Sequence, residues 1–330
     1  MPAVRCSQSA LSSQWFQPTI RPTVAIPTLT ARADACLIPR MTAPDTRSLE
    51  HRMGDWARAR LPYAVAELAM FVLKQGWACL FGGLLLAAII ATKLVWQTGW
   101  PVHRYDALFL FAIATQALFL WTKLETWEEA RVILLFHLTG TAMEWFKVHA
   151  GSWAYPEPGI FKLMGVPLFS GFMYAAVGSY MARVIRVFDM AFAPYPRFAL
   201  TVTLAAAIYV NFFAHHFLPD FRLVLFVATV ALYGRTRIWF RIHDRHWWMP
   251  LPLAAFLSAL ALWVAENVGT ATGTWIYSGQ VTGQLVSFGK LGSWYLLLYV
   301  AFVTVTLVSR SALSARPLDL SGVPANLAKS

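Results

Sequence analysis

Residues 140–155 read GTAMEWFKVHAGSWAY, and residues 262–277 read LWVAENVGTATGTWIY. Laid together at an offset of 122 positions, they match Glu144 with Glu266, Gly151 with Gly273, Trp153 with Trp275 and Tyr155 with Tyr277. Both stretches are E-x6-G-x-W-x-Y, a match that chance supplies about once in ten thousand for a given Glu. Each Glu lies near the end of a long apolar run. The pattern implies a duplicated helical unit that carries a carboxylate inside the membrane. Duplicated membrane units place their sites where the copies meet.

Composition agrees with a bilayer as solvent. The 330 residues are 58% hydrophobic and 13% charged, with 15 Trp, 23 Phe and a mean hydropathy of +0.53. Three cysteines, Cys6, Cys36 and Cys79, show no disulfide spacing. The net charge of +11 comes from Lys and Arg beside hydrophobic segments, where the positive-inside rule accounts for them. No basic stripe interleaves with an RNA-binding motif, so nucleic acid is not expected as a partner.

The expected fold is all-α: a polytopic integral membrane helical bundle of about eight transmembrane helices in two parallel four-helix repeats. Residues 1–52 are rich in Ser, Thr, Pro, Ala and Arg and lack a signal-peptide core, so a disordered extension is expected, with Met53 as an alternative start. Residues 53–75 read as an amphipathic interfacial segment. The first repeat spans 76–197 and the second 198–310, followed by a C-terminal tail over 311–330. The eight segments fall at about 76–97, 105–122, 131–149, 166–187, 198–215, 219–234, 250–268 and 286–309. Segment 4 carries small residues at packing spacing: Gly171, Ala175 and Ser179, with Gly178 and Ala182 beside them. Fourteen Lys and Arg flank the segments on the side of the N-terminus. Six, namely Lys93, Arg104, Lys147, Lys162, Arg222 and Lys290, flank the other. This asymmetry puts both termini in the cytoplasm of a multi-pass inner (cell) membrane protein.

The candidate chemistry centres on the two carboxylates, because an acid in a membrane helix costs roughly 2.5–3.5 kcal/mol to insert. Withdrawn from water, a carboxyl keeps its proton and can act as an acid near neutral pH. Candidate catalytic residues are Glu144, Glu266, His137 and His215; candidate substrate contacts are Trp153, Tyr155, Trp275, Tyr277, Asn211 and Lys147. For Glu144 alone, an intrahelical ion pair with Lys147 is an equal alternative. In the second copy the position of Lys147 is taken by Gly269, which favours a shared site over an ion pair. The aromatic residues suit an interfacial belt, or a wall that stabilises a carbocation through ring quadrupoles. His215, His216 and Asp220, at the end of segment 5 and the start of segment 6, are the candidate metal ligands, although the HxxxH and HxxHH elements of membrane di-iron enzymes are missing. His243, Asp244, Arg245 and His246 read as a solvated loop. There is no P-loop, GxGxxG, GxSxG or HExxH, so no cofactor is expected.

Two resemblances add to this. Gly151-Ser152-Trp153, the stretch Gly165 to Tyr174 (GVPLFSGFMY), Asn211-Phe212-Phe213 with His215-His216, and Glu266-Asn267-Val268-Gly269 together resemble a bacterial multi-pass membrane family, domain of unknown function 817. That resemblance covers about residues 56–310 and implies class and location without an activity. A helix with Glu, then G-x-W-x-Y, then Gly-Val-Pro opening the next helix is distantly similar to duplicated-module lycopene cyclases and carotenoid hydratases. The similarity implies that Glu144 and Glu266 are acid or base, with Trp153, Tyr155, Trp275 and Tyr277 near an isoprenoid substrate. Ser287-Phe288-Gly289 stands in the second copy where that pattern has Gly-Val-Pro, and the cyclases' proline-glutamate signature is not evident.

The leading expectation is an enzyme that protonates, isomerises, hydrates or cyclises a lipophilic substrate between the repeats, with the lipid bilayer and that small molecule as partners. A proton-coupled transporter or exporter is the alternative, and a membrane scaffold without catalysis is a third. Oligomeric state is left open.

Overall fold

The computed structural model describes residues 46–314, except 98, 243–245, 282–283 and 309. The expectations for residues 1–45, Cys6 and Cys36, the loop residues His243, Asp244 and Arg245, and the end of the tail lie outside the described residues. Within them the fold is predominantly α-helical, as the apolar segments implied, with ten α-helices. They are α1 (Thr46–Arg60), α2 (Tyr63–Ala78), α3 (Leu80–Val95), α4 (Arg104–Trp121), α5 (Trp127–His149), α6 (Phe169–Val187), α7 (Phe198–Ala214), α8 (Arg222–Tyr233), α9 (Leu251–Ala271) and α10 (Phe288–Val308).

Three corrections to the sequence reading stand out. Helix α1 begins at Thr46, so residues 46–52 belong to a helix and not to a disordered extension. The first expected span is broken: α2 and α3 meet at Cys79 with a bend of 71°. No proline causes the break; Cys79 closes α2 with ψ near 0° while its carbonyl already accepts from Gly83 N–H. The start of the fourth span, Val166–Pro167, is a short strand, and α6 opens only at Phe169.

By length and composition α9 and α10 can cross a membrane, and the bent pair α2–α3 makes a third if taken as one span. Helices α7 and α8 are apolar but shorter. Helix α6 owes its lower hydropathy to Arg183 and Arg186, which point into protein. Arg183 donates to Glu125 at 2.5 Å with both side chains buried, and Ser179 donates to the same carboxylate at 2.8 Å. Arg186 pairs with Glu129 at 2.8 Å. Glu129 also completes a capping box with Thr126, which sets the start of α5.

The small residues of α6 do form a packing seam against α5. A Cβ on Gly171 would fall 2.2 Å from Thr141 Oγ1, and one on Gly178 would fall 2.7 Å from the Phe136 ring, so the backbones approach as only glycine allows. Ala175 is fully buried between them.

The helix ends are tied by short strands that the apolar-segment reading passed over. At one end β4 (Ala191–Ala193), β5 (Arg237–Arg241) and β6 (His246–Pro250) form an antiparallel sheet in that order. Lys74 of α2 donates to the carbonyls of Val187 and Arg241, joining this sheet to the helices. At the other end β2 (Lys162–Leu163) pairs with β3 (Val166–Pro167), and β1 (Trp153–Ala154) pairs with β7 (Ile276–Tyr277). The main core runs between the ends, with Phe188, Tyr233, Tyr299 and Val305 among its fully buried members.

Candidate functional site

The two copies of E-x6-G-x-W-x-Y fold alike and meet. Helix α5 ends with Gly151 at φ +70° and α9 with Gly273 at φ +66°, the left-handed turn that glycine permits at a helix end. The following amides close the same way: Ser152 N–H reaches back to Lys147 C=O at 2.9 Å, and Thr274 N–H to Gly269 C=O at 3.0 Å. Each turn throws its W-x-Y strand back across the helix end, and the strands then pair with each other. Trp153 faces Tyr277 and Ala154 faces Ile276. Ala154 and Ile276 are themselves equivalent positions at the 122-residue offset, so the ribbon has the register of a local two-fold through that pair.

This geometry brings both acids together with the aromatic residues. Glu144 is buried and accepts three hydrogen bonds: from Trp153 Nε1 at 2.7 Å, from the Tyr155 hydroxyl at 2.9 Å and from the Tyr174 hydroxyl at 2.7 Å. The Tyr277 hydroxyl donates to Glu266 Oε2, and Trp275 lies close to the same carboxyl. Glu144 makes no ion pair with Lys147. The Lys147 ammonium instead donates to Phe212 C=O at 2.6 Å and to His216 Nε2 at 2.9 Å, across the gap between α5 and the end of α7. An ammonium can only donate, so His216 Nε2 is the acceptor and the neutral imidazole carries its proton on Nδ1. Burial and then the Lys147 charge push His216 below the ordinary histidine range, in keeping with that form.

Both carboxyls face one cavity of about 1010 Å3. Its wall includes Lys147, Trp153, Tyr155, His215, Trp275 and Tyr277 among the expected residues. The cavity extends past Leu85, Val177 and Leu262 to Phe240 and Met249 near the three-stranded sheet, so most of its depth is apolar. Its volume lies at the upper end of the ~300–1,000 Å3 typical of ligand sites.

Two expected site residues are not brought in. His137 packs its ring on Phe172 at 4.3 Å, and its buried Nδ1 has no hydrogen-bond partner; it does not line the cavity. Seven residues place it two turns from Glu144, on the stretch of α5 that faces α6. Asn211 is also off the wall: its side chain donates to Asp220 at 3.2 Å and accepts from Phe221 N–H at 3.0 Å, bracing the α7–α8 turn. The metal candidates do not converge either. Arg222 and Asn211 hold Asp220, while His215 Nδ1 turns to Asn211 C=O. Among the described residues no group of three or more His, Cys, Asp or Glu could hold a metal ion.

Sequence reasoning missed three contributors. Tyr174 supplies the third donor to Glu144, and its only sequence signal is its place at the end of GVPLFSGFMY. Lys290 sets its ammonium 4.0 Å from the Tyr277 ring centroid and 5.4 Å from that of Trp153. Arg222 reaches across to Gly289 C=O and Ser293 Oγ at 3.4 and 3.3 Å. Lys290 and Arg222 looked in sequence like ordinary flanking charges.

Comparison with known proteins then places the chain. The family described as "Protein of unknown function (DUF817)" matches residues 67–302. The chain belongs to the DUF817 family. It is 40% identical to the "Uncharacterized protein YoaT" of Bacillus subtilis (strain 168) over 243 residues, which cover 73% of this chain and 91% of that relative. No solved structure matches. In this DUF817 member the matched region holds every cavity residue named above.

Proposed function

We propose that this chain is a multi-pass protein of the inner membrane, with eight apolar segments in two parallel four-helix repeats and both termini cytoplasmic. We read it as an enzyme that performs acid/base chemistry on a lipophilic, isoprenoid-like substrate. The observation that carries this reading is the pair Glu144 and Glu266, both facing one deep apolar cavity and both fixed by aromatic donors from the shared ribbon. The two-fold register of that ribbon supports duplication, since equivalent residues 154 and 276 pair with each other.

The chemistry is an isomerisation in its simplest form. Glu266 gives a proton to one carbon of a double bond, and the electron pair of the π bond forms the new C–H bond. The cation left on the neighbouring carbon is faced by the rings of Trp153, Trp275 and Tyr277. Glu144 then removes a proton from the adjacent carbon and the double bond reforms one position along. Proton gain and loss balance, and the two acids exchange roles for the next turnover. Their aromatic donors hold the oxygens in place, so little reorganisation is needed as charge moves. The distant likeness to lycopene cyclases and carotenoid hydratases rests on motif shape alone and agrees with this class of reaction.

A second reading, proton-coupled transport, draws on the broken helix. Gln75, Cys79 and Gly82 at the 71° bend line the same cavity, as discontinuous helices do in transporters. Mass spectrometry of lipid extracts from cells expressing wild type or Glu144→Gln/Glu266→Gln tests the enzyme. A lipid species that appears or vanishes only with wild type supports catalysis. Identical extracts from cells with equal amounts of inserted protein would refute it, and flux that collapses with the proton gradient would establish transport.

A further inference from the structure

At the end of the cavity that holds the two acids, three basic side chains gather beside two histidines, and two of the three have no ion-pair partner among the described residues. Lys147, Lys290, Arg222, His215 and His216 all line the same wall. They are close neighbours: the His215 and His216 rings lie 4.3 Å apart, Lys147 touches His216 at 2.9 Å, and Arg222 contacts the residues on either side of Lys290 in sequence, Gly289 and, one turn on, Ser293. The charges of Lys147, Lys290 and Arg222 repel one another, and Lys147 feels both of the others. Asp220 is the carboxylate partner of Arg222. Among the described residues Lys147 has no carboxylate partner, and its ammonium, in a residue only 2% exposed, spends two donors on Phe212 and His216. The Lys290 side chain makes no hydrogen bond or ion pair among the described residues; its ammonium rests on two ring faces within electrostatic reach of Glu266.

An apolar cavity for a hydrocarbon alone gains nothing from two ammonium groups at its head. Gathering like charges at one end of a cavity costs energy, and an anion bound there recovers it. The donors are of the right kind. Lys147 and Lys290 have N–H groups to spare, Ser152, Ser287 and Ser293 add hydroxyls on the same wall, and Arg222, whose fork is held by Asp220, Gly289 and Ser293, adds positive charge beside them.

We propose that the cavity takes an amphiphile whose lipid chain carries a phosphate head group, held at this end by Lys147 and Lys290 with Arg222 beside them. The proposal rests on the cavity being the substrate site and adds the substrate's charged class. A head group at Lys290 would seat the first carbons of the chain against Tyr277, Trp153 and Glu266, where the acid/base chemistry is assigned.

The test is a binding titration of the full chain, purified in a neutral detergent and followed by tryptophan fluorescence, with dodecyl phosphate, 1-dodecanol and inorganic phosphate as probes. Wild type is expected to prefer dodecyl phosphate to 1-dodecanol by about tenfold or more, as charge-assisted hydrogen bonds require. Lys147→Gln/Lys290→Gln should lose that preference and keep its affinity for 1-dodecanol. If the buried Lys147 change impairs folding, Lys290→Gln alone carries the test, because that ammonium has no hydrogen bond to lose. Equal affinity for phosphate and alcohol, or a preference unchanged in the lysine variants, would overturn the proposal. Inorganic phosphate binding as tightly as dodecyl phosphate would overturn it in favour of a free-anion site. Glu144→Gln/Glu266→Gln should retain the preference, so a failure of the catalytic reading leaves this result distinguishable.

Discussion

Replacing Gly140 with alanine probes the link between helix packing and the Glu144 site. A Cβ at this position of α5 would lie 2.6, 2.7 and 2.8 Å from Cβ, Cγ and Cδ2 of Tyr174. Real contacts of that kind need about 3.5 Å or more, so the α6 ring must retreat by nearly an ångström. The Tyr174 hydroxyl sits 2.7 Å from Glu144 Oε1, and a retreat of that size takes it out of hydrogen-bond range. Gly140→Ala should therefore cost about 1–3 kcal/mol for overpacking and about 1.5–3 kcal/mol for a lost hydrogen bond to a charged acceptor. Tyr174→Phe should cost only the second part. In the double variant the hydrogen bond is already gone, so the two effects should fall short of additivity by about 1 kcal/mol or more. Thermal or denaturant unfolding of the four purified proteins in detergent measures this. Additivity within about 0.5 kcal/mol would mean that the ring does not couple Gly140 to Glu144 and would refute the reasoning.

Other outcomes follow from the same contacts. Gly269→Ala should be poorly tolerated, since its Cβ would fall 1.8 Å from Cη2 of Trp275 and push that indole away from Glu266; a wild-type melting point and tryptophan spectrum would argue against it. Arg183→Met should lower stability by about 3–5 kcal/mol, because Glu125 would stay buried without its partner. Restoration by Glu125→Gln in the same chain checks that charge, and not packing, is responsible. Asn211→Ala should loosen the α7–α8 turn while leaving binding at the cavity nearly unchanged, because Asn211 braces Asp220 and Phe221 and does not line the wall.

Much of the helical layout was legible in the sequence, and for a plain reason. A segment such as 288–308 is predominantly apolar after its first turn, and length with hydropathy suffices to find it. The breaks were not legible, because Cys79 carries no helix-breaking signal and the bend depends on what packs around it. The strand β5 could have been found: Arg237, Ile238, Trp239, Phe240 and Arg241 form a short β-branched and aromatic run between turns, hidden by the search for 20-residue segments. At the site, the repeated motif pointed to Glu144, Glu266 and their Trp and Tyr partners because bonds of nine and eleven residues' separation are local. Tyr174 and Lys290 reach the site from other helices, 30 and 24 residues from their nearest acids, and no spacing announces them. His137 misled because sharing a helix face with Glu144 says nothing about which neighbour that face meets at each turn.

The most direct test of the central claim is turnover in heavy water. The purified chain in lipid nanodiscs is incubated in D2O with a total lipid extract, and the lipids are analysed by mass spectrometry. Acid/base chemistry at carbon by Glu144 and Glu266 predicts a lipid species that gains deuterium at a non-exchangeable position with wild type and not with Glu144→Gln/Glu266→Gln. Deuterium gain by both proteins alike, or by neither while both are folded and bind lipid, would contradict it.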